Sequence, residues 1–207
     1  MSGVTSADFG WFAESFPGLD ECGYCLTLVS NVDADGLLSA LGAHRIGDVT
    51  GVGELNEPSY TAWDEYGGDE LVVGVATLDD GWAMMLEENG YLGITGTLMQ
   101  PVSVGREIVA HYRNVDALDH FVWWRDGIDE LSFEPLFATS RSGAQPDGLL
   151  DVMRDVGFRV DDPDTAVTEF DHTAAAFALA ERITGVTITA DLLNSAHLEL
   201  GRVTVPH

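Results

Sequence analysis

The sequence predicts a single α+β domain, and three observations carry that prediction. A hairpin pattern, Glu70 to Thr77 and Trp82 to Glu87 around Asp79-Asp80-Gly81, precedes three short-looped strand patterns between Glu107 and Phe133. The C-terminal third reads as helices from Pro146 onward. Strands and helices segregated along the chain in this way give α+β architecture rather than an alternating α/β layer. At 207 residues the chain suits one domain, 1–207, with a possible linker at 161–165 before a C-terminal helical segment. A chain of this length buries about 70% of the surface its unfolded form exposes, so it needs no disulfide or metal staple.

Taken in order, Phe9, Phe12 and Phe16 stand at helical spacing, and Pro17-Gly18 is expected to stop that helix. Tyr24 to Ser30 reads as a strand. Asp33 caps a helix over residues 34–41 with Leu37, Leu38 and Leu41 on one face and Gly42 past its end. Residues 43–69 are glycine-rich and acidic, with one short helix expected around Tyr60 to Trp63. The Asp79-Asp80-Gly81 turn and the Asn89-Gly90 turn follow by their chemistry. Glu107 to Arg113, Asp119 to Trp124 and Ile128 to Phe133 form an antiparallel meander. Pro146 opens a helix carrying Leu149, Leu150, Met153 and Val156 and ending at Gly157. Thr173 to Thr184 makes an alanine-rich helix, Thr189 caps a short one, and His197 to Val205 alternates as a further strand.

The charge restricts function more than any motif does. There are 35 Asp and Glu against 9 basic residues, all nine of them arginine, for a net charge of -26. Such a field repels nucleic acid and anionic membrane surfaces and attracts a basic protein partner. A GC-rich genome or salt adaptation writes the same bias, so the charge fits solvation alone as well as a docking surface. No run approaches the roughly 20 apolar residues of a membrane span. Met1 to Thr5 lacks the basic and apolar regions of a secretory signal, so the cytoplasm is the expected compartment.

Motifs of catalysis are missing. Gly51-Val52-Gly53 lacks the third glycine of a dinucleotide turn, and without lysine a phosphate-binding P-loop cannot form. No serine sits in a nucleophile elbow. Cys22 and Cys25 are spaced as a redox pair, but Cys25 opens a strand rather than a helix, and Asp20 and Glu21 oppose a thiolate. No second cysteine pair completes a zinc site, and Asp33, Asp35 and Gly36 fail the register of a calcium loop. Neither a cofactor nor a metal is therefore expected. Glu87-Glu88 reads as a solvated loop shoulder, since neighbours on a strand face opposite ways. Of the adjacent Trp123 and Trp124, at least one is expected in the core.

Several segments together resemble a known group of proteins. They are Trp11-Phe12 to Phe16 with Tyr24 to Val29, and Gly81 to Glu87 with Asn89-Gly90-Tyr91-Leu92-Gly93. Tyr112 to Val115 with Phe121 to Trp123 and Phe133 to Phe137 follow, and then Ala178 to Val186 leading into Leu192-Leu193. In that order they resemble an uncharacterised domain-of-unknown-function family of streptomycetes and related actinobacteria. The resemblance implies one cytoplasmic domain and a GC-rich source. It hands over no catalytic residue, and Cys22 departs from its pattern.

Two functions are carried forward. The first is a non-enzymatic, acidic binding protein, in its most concrete form an immunity-like or antitoxin-like inhibitor of a basic partner. The second is a small-ligand binder or hydrolase-type enzyme with a pocket lined by Trp82, Tyr91, His111, Tyr112, His120 and Trp124. In that version His111 or His120 is a base oriented by a carboxylate, with Asp116 and Asp119 both nearby in sequence.

Overall fold

In a computed structural model of the chain, residues 3–116, 118–161 and 171–206 are described. The long-range frame is a sheet whose middle strand is β1, Gly23–Ser30, built from a run of apolar residues buried on both faces. The predicted hairpin is present as β3 (Glu70–Thr77) and β4 (Trp82–Glu88), and the meander as β5 (Glu107–Asn114), β6 (Asp119–Arg125) and β7 (Ile128–Phe133). β1 pairs antiparallel with β4 on one side and β5 on the other, so it welds hairpin and meander together. The C-terminal strand β9 (His197–Thr204) adds to β3, β2 (His44–Thr50) adds to β9, and the two-residue β8 (Arg141–Ser142) adds to β7. The order is β2-β9-β3-β4-β1-β5-β6-β7-β8, antiparallel at every step.

Alternation along the strands divides the core in two. Tyr24, Leu26 and Leu28 of β1, with Met84, Leu86, Val109 and Phe121, face one layer of helices. That layer is made by α1 (Trp11–Ser15), α2 (Pro17–Cys22), α6 (Leu150–Val156), α7 (His172–Thr184) and α8 (Ala190–Ser195). Cys25, Val29, Met85, Ile108 and Val122 face the other layer, formed by α3 (Ala34–Ala40) and α5 (Gly96–Val102). α4 (Asn56–Tyr66) lies along β3 and buries Ala62. The result is one α+β domain.

Local chemistry explains most boundaries. Asp33 accepts a hydrogen bond from the Gly36 backbone N at 2.8 Å, and Thr189 one from Leu192 N at 3.1 Å, as N-cap residues do. α7 is capped by Asp171 and closed by Gly185 in the left-handed region. The structure also adds elements that local spacing did not predict. The aromatic helix α1 ends at Ser15, ahead of Pro17 as expected, but Pro17 also opens the further helix α2, where its missing N–H costs nothing. In residues 43–69 the short helix expected around Tyr60 to Trp63 is an eleven-residue helix, and an unexpected edge strand precedes it. α5 forms despite Pro101, near its C-terminal end. Of the suggested linker at 161–165 only Asp161 lies within the described residues.

Candidate functional site

The exposed face of α4 carries the clearest surface feature. Its helical spacing buries Ala62 and turns Tyr60 and Trp63 outward, 58% and 46% exposed. Trp63 rests against Gly68, where an added Cβ would meet the indole at 3.2 Å. With Leu71 and Val72 of β3, Val115 and Cys22, the two aromatics line a groove of about 160 Å3. Its rim is acidic. Glu88 lines it and accepts a hydrogen bond from Asn56 Nδ2 at 2.5 Å, while Glu57 and Asp64 are exposed three before and four after Tyr60 on α4. Single exposed apolar residues are ordinary, but two large aromatics beside one groove are what an interface anchor looks like.

Beneath the first helical layer lies a buried polar network. Asp119, on β6 with no side-chain exposure, accepts from His172 Nε2 at 2.6 Å and from Arg113 Nη1 at 3.1 Å. Arg113 carries only donors, so its 3.1 Å approach to the same His172 nitrogen reflects a shared carboxylate rather than a bond between them. Tyr24 Oη lies 3.0 Å from His111 Nδ1. Burial holds the His111 ring neutral, down at about 4, and lifts the Tyr24 hydroxyl well above its ordinary range, so Tyr24 donates. The ring hydrogen is then on Nε2, which points at Asp119 from 3.9 Å without reaching it. Burial pushes the Asp119 carboxyl up, but His172, His111 and Arg113 outweigh it and hold it below the ordinary carboxylate range. A cavity of about 210 Å3 between Phe12, Asp20, Arg113 and His172 abuts the network.

On the opposite face Glu87 corrects an expectation. It is fully buried rather than a solvated shoulder, and its two carboxylate oxygens accept from Leu92 N at 2.9 Å and Gly93 N at 2.8 Å. The bonds fold the Asn89-Gly90-Tyr91 turn back over β1. The fit requires glycine: a Cβ on Gly93 would meet Cys25 Sγ at 2.7 Å, and one on Gly90 would meet Glu87 Cβ at 2.6 Å. Burial raises the Glu87 carboxyl to about 7 against the pull of its two backbone donors. Burial and the neighbouring Glu87 also push the Cys25 thiol well up, the reverse of a reactive cysteine. Cys22 and Cys25 are both free thiols.

The six residues expected to share a pocket do not converge. His111 faces the first layer with Asp119, while its strand neighbour Tyr112 and the paired His120 face the second. His120 Nε2 bonds Ser132 Oγ at 3.0 Å. Trp124 is second-layer core and Trp123 first-layer core, its Nε1 donating to Glu107 at 2.7 Å, so both indoles are buried. Tyr91 lies on the Glu87 turn. Trp82 sits apart, half-buried in a different cavity beside the end of α7. His172, the imidazole bonded to Asp119, and the Tyr60–Trp63 pair were not among the residues expected. Tyr60 and Trp63 carried a usable signal, aromatics three apart in an otherwise acidic segment; His172 carried none. Among the described residues no group of His, Cys, Asp or Glu is arranged to hold a metal ion, and no helix is long and apolar enough to cross a membrane.

The sequence model of a family of unknown function, DUF6461, matches residues 2–207. The chain belongs to that family. No curated protein and no solved structure matches it. The resemblance read from the sequence therefore holds at the level of a DUF6461 domain spanning the whole chain. Two segments that carried it, Gly81 to Glu87 and Asn89 to Gly93, are the strand and turn that the Glu87 carboxylate ties together in this DUF6461 member.

Proposed function

We propose that the protein is a non-enzymatic binding module that docks a basic protein, as an immunity-like or antitoxin-like inhibitor does, and that the groove beside α4 is its docking site. The observation that carries the reading is the pairing of exposed Tyr60 and Trp63 over a groove with an acidic rim, on a chain of net charge -26. Aromatic anchors supply affinity, and the surrounding charge supplies steering and partner choice. The partner is a protein with an apolar side chain flanked by Lys or Arg. The setting is the cytoplasm of a GC-rich actinobacterium, in keeping with two cysteines held as free thiols. The rival pocket loses its footing because its six residues are divided between both faces of the sheet.

The test separates charge from anchor. The wild-type chain and a Tyr60→Ala/Trp63→Ala variant, equal in charge, are used to retain basic proteins from the source lysate at low and at physiological salt. A specific basic protein held by wild type is expected to bind the variant about thirtyfold or more weakly. Its capture should also weaken as salt shortens the screening length from about 30 Å to about 8 Å. Equal retention by both chains would reduce the groove to a surface accident.

A further inference from the structure

We propose that the cavity holding Trp82 is a binding site for a small organic cation, an ammonium carrying apolar substituents. It measures about 500 Å3 and lies between the β3–β4 turn and the C-terminal end of α7. Three features of different kinds favour positive charge there. The half-buried indole of Trp82 lines it, and the face of an indole attracts cations more strongly than any other side-chain ring. Asp79 and Asp80 line the same wall, and neither is ion-paired to a basic side chain among the described residues. Thr184 and Gly185 bring the negative end of the thirteen-residue α7 against it.

Among the described residues no Lys, Arg or His lines the cavity, so none of these in its wall repels such a ligand. Of its remaining lining residues, Leu78, Val186 and Leu192 are apolar and suit alkyl groups around the charge, and Thr187 adds an uncharged hydroxyl. Asp80 has φ 58, a conformation that Asn adopts as readily, so its charge can be removed without disturbing the turn. The site shares no residue with the α4 groove and stands whether or not that reading holds.

The test uses choline and its uncharged carbon isostere 3,3-dimethylbutan-1-ol, with potassium as a control for the general field of an acidic chain. The readout is the indole N–H resonance of Trp82 among the five tryptophans, assigned by its loss in Trp82→Leu. Choline is expected to shift that resonance saturably, with the neutral isostere about tenfold weaker. Asp79→Asn/Asp80→Asn, two exposed changes, should weaken choline binding about tenfold while the other four indole resonances stay in place. No saturable shift with choline, an equal response to the isostere, or an equal response to potassium would each overturn the proposal.

Discussion

Asp119→Ala is expected to destabilise the protein by about 3–5 kcal/mol at neutral pH, measured by urea unfolding. The size follows from burial rather than from the number of contacts. Asp119 has no exposed side-chain surface and is the shared acceptor for Arg113 and His172. Removing it leaves a guanidinium and an imidazole facing each other with only the partly exposed Asp20, 3.6 Å from Arg113 Nε, as counter-charge, and the desolvation cost of that arrangement falls on the folded state. Asp119→Asn keeps the shape, loses the charge and should fall between wild type and alanine. The contrast is Asp151→Ala, which breaks an ion pair to Arg154 at 2.8 Å on a carboxylate 98% exposed and should leave stability unchanged. A loss below about 1 kcal/mol for Asp119→Ala would mean that the network is not a support of the fold.

The second large effect is in the pH profile. His111, held neutral at about 4 against an ordinary 6.5, contributes stability that is present above 6.5 and lost as pH falls toward 4. Glu87, raised to about 7 from 4.5, does the opposite: its contribution is complete below 4.5 and lost as pH rises through 7. Each amounts to roughly 3 kcal/mol over its window. Between pH 6.5 and 4.5 the two slopes oppose, so the wild-type profile should be nearly flat there. Asp119 adds its own loss only at still lower pH, since its carboxyl lies below the ordinary range. Glu87→Gln removes one of the two slopes. Its stability should fall steadily between pH 6.5 and 4.5, by up to about 3 kcal/mol relative to its own value at 6.5. At pH 4.5, where the Glu87 contribution is complete, the variant should also be less stable than wild type, because one of Leu92 N and Gly93 N then faces an amide NH2 instead of an oxygen. Parallel profiles for wild type and variant, measured by denaturant midpoint across that range, would contradict the assignment of Glu87.

The parts of the fold that were legible are those written in local chemistry. The meander announced itself through alternation between Glu107 and Phe133 and the Asp126-Gly127 turn, and the caps at Asp33 and Thr189 stand where expected. β2 was missed because an exposed edge strand has no inner face to pattern; of its seven residues only Ile46 and Val49 are apolar. The insertion of β1 between β4 and β5 is a long-range choice that no local spacing encodes. At the candidate sites the same division holds. His111 and Asp119 could be placed on neighbouring strands, but His172 reaches Asp119 only because α7 packs across β5. Glu87 read as exposed because acids usually are, and its burial depends on a turn that folds back to donate two backbone hydrogens.

The central claim, a basic partner docked on α4, is tested most directly by hydrogen exchange of the chain alone and bound to the basic protein it retains. The account predicts new protection across Asn56–Tyr66 and at Glu88 and Asn89, with the β2 edge and the Trp82 cavity unchanged. Protection confined to β2, or a complex that leaves α4 exchanging as in the free protein, would contradict it.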